Sequence, residues 1–286
     1  MANSQGFDSD AYKAGQRRDW NSVAAGWQTW WPVLEAGAKH VTGRLLELAD
    51  VRSGHRVLDI ATGIGEPSLS AARRVGPEGR VVAVDQSGEM LEIAMRRARE
   101  QGLTNVDFIE SDTEKLDLPH YTFNSVLCRW GLMFLPNLVD ALGRMQRLLV
   151  PGGKLAGAVW SEPGRVPSIA LAMQVVREAL QAPAPPAGAP GPFNLADPEV
   201  LEDIVIEAGF VEFHSEPVSV VFETASAEMY TQFTKDVAAP ITAMLAEHPP
   251  QVQEEVWSQV TEAARRFETP EGTIRMENEA ICFIAW

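Results

Sequence analysis

The chain has 286 residues, 45% of them apolar, and 24 lysines and arginines against 39 aspartates and glutamates, a formal net charge of −15. That length suits one large domain with its own core. The acidic field repels phosphate backbones and disfavours nucleic acid as a partner. No run of about 18 apolar residues occurs, so no membrane span is expected. The first twenty residues lack the apolar centre of a secretion signal, which points to a cytoplasmic protein. The two cysteines, Cys128 and Cys282, are far apart and lack metal-ligand spacing, so buried free thiols are expected and no metal site.

Residues 1–50 read as helical and aromatic. Trp20, Trp27, Trp30 and Trp31 place half of the eight tryptophans within twelve residues. The segment is either a helix packed on the core or a lid that closes over a ligand. Trp27 can share a helix face with Trp30 or Trp31, whereas the adjacent pair cannot fully do so, so at least one of the three is expected to be structural.

From 51 to 162, short apolar runs alternate with helical periods. The runs are Arg56–Ile60, Arg80–Val84, Val106–Ile109, Phe123–Cys128 and Lys154–Trp160, as buried parallel strands should be. Leu91, Ala94, Met95 and Ala98 form one helical stripe that Gly102 ends. Leu138, Ala141, Leu142, Met145, Leu148 and Leu149 form another, ended by Pro151-Gly152-Gly153. Arg96, Arg97 and Arg99 read as a solvated face. Repeated strand–helix–strand units mean a doubly wound, mostly parallel sheet.

Beyond 162, the stretch 182–192 is too rich in proline to form a regular element. Asp197-Pro198 opens a helix that ends at Gly209. Residues 211–222 read as a strand, 226–267 as two helices broken at Pro249-Pro250, and Ala280–Trp286 as a closing strand. One domain over 1–286 is expected: a helical lid at 1–50, a cofactor-binding core at 51–162, acceptor-side insertions at 163–195 and 224–270, and the end of the sheet at 196–223 and 271–286.

The chemistry concentrates in Val57–Pro67. A strand ends in Asp59 and enters the small-residue loop Ala61-Thr62-Gly63-Ile64-Gly65, where Gly63 and Gly65 allow a tight bend and close approach to a ligand. Dinucleotide-binding proteins also use such loops. Here Ser68 stands where they need glycine or alanine, and Asp59 would repel a pyrophosphate but attract a ligand with a cationic amino group. Asp85 ends the second strand, placed to accept hydrogen bonds from both hydroxyls of a ribose, or to cap the next helix. Asp112 and Thr113 follow the third strand, where Asp112 is either an acceptor for an adenine amine or a plain turn residue. All three acidic positions fall along the carboxyl edge of the sheet, the edge where such folds bind ligands.

The segments VLDIATGIGE, VVAVDQSGEML, FIESDTEKL and LLVPGGKL, in this order, resemble a class I S-adenosylmethionine-dependent methyltransferase. The run Arg129-Trp130-Gly131-Leu132-Met133-Phe134 is similar to the FGL segment of the ubiquinone/menaquinone C-methyltransferase (UbiE-like) group. Ala61 stands where many members have glycine, and Asn124 where an aspartate is usual.

The resemblance implies a seven-stranded Rossmann-like sheet whose last strand inserts antiparallel beside the strand near 211–222. It implies S-adenosylmethionine as cofactor and S-adenosylhomocysteine as product. Asp59 would hold the amino group, partly through water. Ala61, Gly63 and Gly65 would pass beneath the methionine portion, and Cys128 and Arg129 would close over that end. Asp85 would bind the ribose, Gln86 and Met90 would flank the adenosine, and Asp112 and Thr113 would contact adenine. Trp27, Trp30, Trp31, Trp130 and Phe134 are expected to line the acceptor pocket and to favour a small, flat, apolar acceptor.

No general base is evident. His55 and His120 precede strands, His214 lies in one, and His40 and His248 sit in the lid-side helices. A thiol S-methyltransferase and a cofactor-binding protein without catalysis stay open. A nicotinamide-dependent oxidoreductase and a macromolecular methyltransferase are disfavoured, by Asp59 and by the acidic charge respectively. The sequence does not decide the oligomeric state.

Overall fold

The computed structural model describes residues 8–186 and 188–286. The first seven residues of the expected lid segment, and Ala187 in the proline-rich stretch, lie outside them. Seven strands form one sheet: β1 (Arg56–Ile60), β2 (Arg80–Asp85), β3 (Val106–Glu110), β4 (Phe123–Arg129), β5 (Leu149–Trp160), β6 (Phe213–Thr224) and β7 (Ile274–Ala285). Their order is β3-β2-β1-β4-β5-β7-β6. β1 to β5 pair in parallel, and β7 runs antiparallel between β5 and β6. The doubly wound, mostly parallel sheet expected from the sequence is therefore present, with the last strand inserted as the resemblance implied.

Three strand boundaries differ from the sequence reading. Leu149 belongs to β5, where it pairs with Phe123, and not to the preceding helix, which stops at Leu148. β6 begins at Phe213, because the N–H groups of Val211 and Glu212 both turn to the carbonyl of Trp286. β7 begins at Ile274 and leaves Trp286 out, pairing residue for residue with β6 from Thr224↔Ile274 to Phe213↔Ala285. Its first half, IRMENE, alternates buried and exposed side chains, the period-two signature of a strand.

Ten α-helices flank the sheet among the described residues: α1 (Ser9–Thr29), α2 (Trp31–Leu48), α3 (Ser68–Val75), α4 (Gly88–Glu100), α5 (Leu138–Leu148), α6 (Pro167–Ala179), α7 (Pro198–Glu207), α8 (Ala227–Val237), α9 (Ala239–Ala246) and α10 (Pro250–Ala264). None is long and apolar enough to cross a membrane. Asp197 caps α7 as expected, accepting from the Glu199 amide at 2.9 Å. The segment 226–267 holds three α-helices where two were expected. Pro240 has no N–H to continue α8 and ends it at Val237, so the break precedes α9 as well as Pro249-Pro250. Arg97 is not part of a solvated face. Its guanidinium lies 3.6 Å from the Trp31 ring centre and donates to the carbonyl of Ile64 at 2.5 Å.

α1 lies over the loops that follow β2 and β3 and packs on α4, α8 and α9. Lys13 pairs with Asp112 at 2.8 Å and Glu114 at 3.0 Å, Arg17 pairs with Glu110, and Asn21 accepts from Ser87 Oγ at 2.6 Å. At its other end, Gly26 lets the backbones of α1 and α8 touch: a Cβ there would stand 1.9 Å from the carbonyl oxygen of Asp236. Gly26→Ala should therefore force the helices apart at about 1–3 kcal/mol, the usual range for overpacking, and lower Tm by several degrees. Gly43→Ala, in α2, meets nothing within 4 Å and should raise Tm slightly. Thermal melts of both variants beside the parent check this, and equal shifts would contradict it.

Candidate active site

The loop between β1 and α3 is set by a buried carboxylate. Asp59 is fully buried, and its Oδ2 accepts from the amide of Ser68 at 2.9 Å and the hydroxyl of Ser68 at 2.5 Å. Thr62 Oγ1 joins the same network, 2.8 Å from Ser68 Oγ. Ser68, unlike the glycine or alanine of dinucleotide sites, is thus the partner Asp59 needs. Asp59 Oδ1 is buried with no hydrogen-bond partner. Burial pushes the Asp59 carboxyl up to about 7, against the Ser68 and Thr62 hydrogen bonds and the Arg129 charge. Above it, Ala61, Gly63 and Gly65 take φ of 55°, 54° and 110°. These values lie in the region where glycine is at ease and an alanine such as Ala61 is strained.

The loop after β4 closes against this one. Gly131 approaches so nearly that a Cβ on it would stand 2.5 Å from the Ala61 Cβ. Trp130, also at positive φ (61°), turns its ring onto Trp160 in a parallel stack at 4.3 Å. Asn124 Oδ1 accepts from the Arg56 amide at 2.8 Å, so the asparagine found where aspartate is usual ties β4 to β1.

Two cavities meet at the carboxyl edge of the sheet. The first, about 130 Å³, is walled by the loops after β1 to β4 and by α1. Ala61, Gly63, Asp85, Gln86, Met90, Asp112, Thr113 and Arg129 all line it. The second, about 200 Å³ and almost wholly apolar, lies between α6, α8, α9 and the ends of β5 and β6. Trp20, Trp27, Trp130 and Phe134 line both. Trp20 packs edge-on against Trp27 at 6.1 Å and Phe134 at 5.5 Å.

The charged groups of the first cavity are each tied to a partner. Asp85 accepts from the amides of Gly63 (2.8 Å) and Ser87 (2.9 Å), and burial raises its pKa. Ser87, not Asp85, caps α4. Asp112 caps the short 3-10 turn Thr113–Lys115 and carries the Lys13 ammonium, so an adenine amine would meet an acceptor already paired. Arg129 donates to Thr42 at 2.6 Å, and burial pulls its pKa down against the nearby Glu66, Glu35 and Asp59 charges.

Not every expected residue faces the cavities. Asp59, Gly65 and Cys128 lie beneath the lining and are not part of it. Trp30 instead donates to Asp236 at 2.8 Å and packs on Phe233, and Trp31 stacks under Arg97. Trp27 lines both cavities and also donates at 3.1 Å to the Val237 carbonyl, whose helical donor, the Ile241 amide, turns to Ala238 instead. No histidine lines either cavity among the described residues. Of the two histidines expected in the lid-side helices, His40 is exposed and His248 half-buried, and neither reaches a cavity. The sequence reading missed Trp20, Lys13 and Glu66. Trp20 was legible: it lies seven residues before Trp27, two turns along one face. Lys13 was not, since its partner is about a hundred residues away.

The matches to known proteins follow this geometry. Residues 51–175 match a family model described as a methyltransferase domain. The ubiquinone/menaquinone biosynthesis C-methyltransferase UbiE of Pseudomonas fluorescens (strain SBW25) is 38% identical over 145 residues, 50% of this chain and 57% of that protein. Its namesake from Ectopseudomonas mendocina (strain ymp) is 40% identical over 146 residues, with the same coverage. The chain thus spans little more than half the length of the curated relatives it matches. Among solved structures, the [4+2]-cyclase SpnF aligns with a TM-score of 0.55 at 20% identity, over 93% of this chain and 96% of that one. The YcgJ protein from Bacillus subtilis aligns at 0.54 and 19% identity, over 86% and 97%.

The fold and the motif-bearing loops define a class I methyltransferase domain, the class that takes S-adenosylmethionine. Residues 51–175 match the model of that domain, and across half of its length the chain is similar to the UbiE proteins.

The raised Asp59 pKa has a consequence for stability. An unfolded aspartate titrates near ~4, so the contribution of this group is complete below about pH 4 and is lost as pH rises to about 7. Asp59→Asn removes the buried charge. Its stability advantage over the parent should grow between pH 5 and pH 8, by at most roughly 3 kcal/mol, and then stay level. Guanidinium unfolding at both pH values checks this, and a difference that does not change with pH would contradict it.

Proposed function

We propose that the chain transfers the methyl group of S-adenosylmethionine by in-line displacement to an O, N or C atom of a flat, largely apolar small molecule. The observation that carries this reading is the shared wall. The methyltransferase-motif cavity and an almost wholly apolar cavity meet at Trp20, Trp27, Trp130 and Phe134.

The residues present fit the cofactor. The unpartnered Oδ1 of Asp59 suits an ammonium, reached directly or through water. Asp85, its carboxylate held by two amides, keeps free lone pairs for two hydroxyl donors. Gln86, Met90 and Thr113 offer flanks for a nucleoside, and Arg129 a charge for a carboxylate. When bound, the cofactor supplies an already activated methyl on a sulfonium, a cation that aromatic faces favour.

The chain's own share is then alignment and exclusion of water. Segments 9–50, 163–195 and 224–270 supply the acceptor side, with α1 as the lid. The walls of the apolar cavity carry no carboxylate and no histidine among the described residues, so the acceptor brings its own nucleophile as an amine, a phenolate or an electron-rich ring carbon. The quinone-pathway names of the relatives support a ring-bearing acceptor. The location proposed is the cytoplasm, and the partner a small molecule, not nucleic acid.

The match to a cyclase shows that this fold alone does not decide the reaction. Calorimetry with S-adenosylmethionine, S-adenosylhomocysteine and NAD tests the cofactor: the first two should bind and NAD should not. Asp85→Asn should weaken both by about tenfold or more, through loss of charge-assisted acceptors. Release of S-adenosylhomocysteine on mixing with phenols, quinols or aryl amines tests transfer. NAD binding with no heat from S-adenosylmethionine would sink the reading.

A further inference from the structure

Among the described residues, α6 contributes the one cationic side chain on the wall of the apolar cavity. Arg177 lies in its last turn and lines that cavity with Met173 and Ile169, one and two turns back on the same face, and with the adjacent Val176. Its Nε is buried and has no hydrogen-bond partner, and Arg177 forms no ion pair among the described residues. The adjacent Glu178 is engaged elsewhere, accepting from Gln174 at 2.8 Å. Every other arginine close to a cavity is committed: Arg129 to Thr42, and Arg97 to Ile64 and Trp31.

Arg177 is half-buried, with its Nε withdrawn from water and unpartnered, and a carboxylate that meets its planar fork satisfies that donor better than any neutral group. Arg177 also borders an open depression on the other side of α6, shared with Met173 and Phe193. It therefore stands between the cavity and solvent. It does not line the cofactor-side cavity, which the four shared aromatic side chains bound instead. A second unpartnered polar atom, the buried hydroxyl of Ser168, lies on the same apolar wall in the first turn of α6.

We infer that the acceptor is a carboxylate-bearing aromatic molecule whose acid group docks on Arg177 while its ring fills the apolar cavity. The inference rests on the reading of that cavity as the acceptor site. The anchor sits away from the shared aromatic wall, so the acid is held at the outer end and the nucleophilic atom is presented toward the cofactor side. Arg177 is on this account a specificity-determining residue that orients the acceptor and takes no part in bond-making.

The test compares 2-naphthoate with 2-naphthamide, two ligands with one ring system and different charge. Binding is followed by calorimetry and tryptophan fluorescence on the full chain with S-adenosylhomocysteine present. The parent should bind the carboxylate at least tenfold more tightly than the amide. Arg177→Met, which keeps the bulk of the stem, should abolish that preference and leave amide binding unchanged, and Arg177→Lys should restore part of it. No binding of 2-naphthoate, or equal binding of the two by the parent, would overturn the inference. So would a preference that survives Arg177→Met. The parent comparison needs no variant, so a folding defect in either variant leaves the test intact. S-adenosylhomocysteine affinity, measured alongside, separates the two ideas. Its absence sinks the methyltransferase reading, whereas normal cofactor binding with no carboxylate preference sinks only the role of Arg177.

Discussion

The site rests on one buried ionisable group. Asp59 is fully shut off from the surface, and its Oδ2 is held by the amide and the hydroxyl of Ser68. That pairing fixes where β1 hands over to α3, and everything between is then forced into a turn with three successive odd-numbered positions at positive φ. With the turn so placed, Ala61 presents its methyl to Gly131, and the loop after β4 has one way to settle. Trp130 is thereby thrown into the left-handed region and onto Trp160, and its ring becomes the partition between the two cavities. Strain at Ala61 and Trp130, of order 1–3 kcal/mol each, is held in place by the sheet on which both loops stand.

This chain of dependence explains which parts of the molecule could be read from the sequence. The five parallel strands were legible as short apolar runs, and β3, half-buried at the edge of the sheet, was the least apolar of them. The carboxyl-edge positions Asp85, Asp112 and Thr113 followed from strand ends, and Gln86 and Met90 from the family resemblance, and all five line one cavity. What was missed depended on distant partners. Nothing local marks β7 as starting at Ile274; only the twelve-residue register with β6 does. Nor could Asp59, the most visible motif residue, be known to lie under the cavity floor.

The aromatic segment shows the same division within one helix pair. Spacing correctly warned that the tryptophans could not all face one way. It did not say which would turn aside. The outcome is set by what α8 and α4 offer: Asp236 takes the Trp30 indole and Arg97 covers Trp31, while Trp27 closes the end of α8 and still presents a face to both cavities. Trp27 is therefore structural and pocket-lining at once. A loss of stability and a loss of acceptor binding on its removal would not be alternatives. Trp20, whose indole bonds Gln16 within its own helix at 3.1 Å, carries no such load and reports on the pocket more cleanly.

The distribution of titratable groups also constrains the chemistry. Carboxylates crowd the cofactor side, where Glu66, Asp85 and Asp112 are each engaged by an amide or a cation. The acceptor side is almost bare, with two hydroxyls, Ser168 and Thr234, and one guanidinium. An apolar lining raises the energy of any free charge and strengthens the few polar contacts that remain. A base placed there would itself lose its charge by desolvation, so omitting one costs little if the acceptor arrives with an available lone pair. A cation at the outer end then does two things at once: it compensates an acid on the acceptor and sets which end of the ring points inward. Orientation is what a base-free methyl transfer most needs, since the sulfonium already provides the electrophile and only geometry is left for the protein to supply.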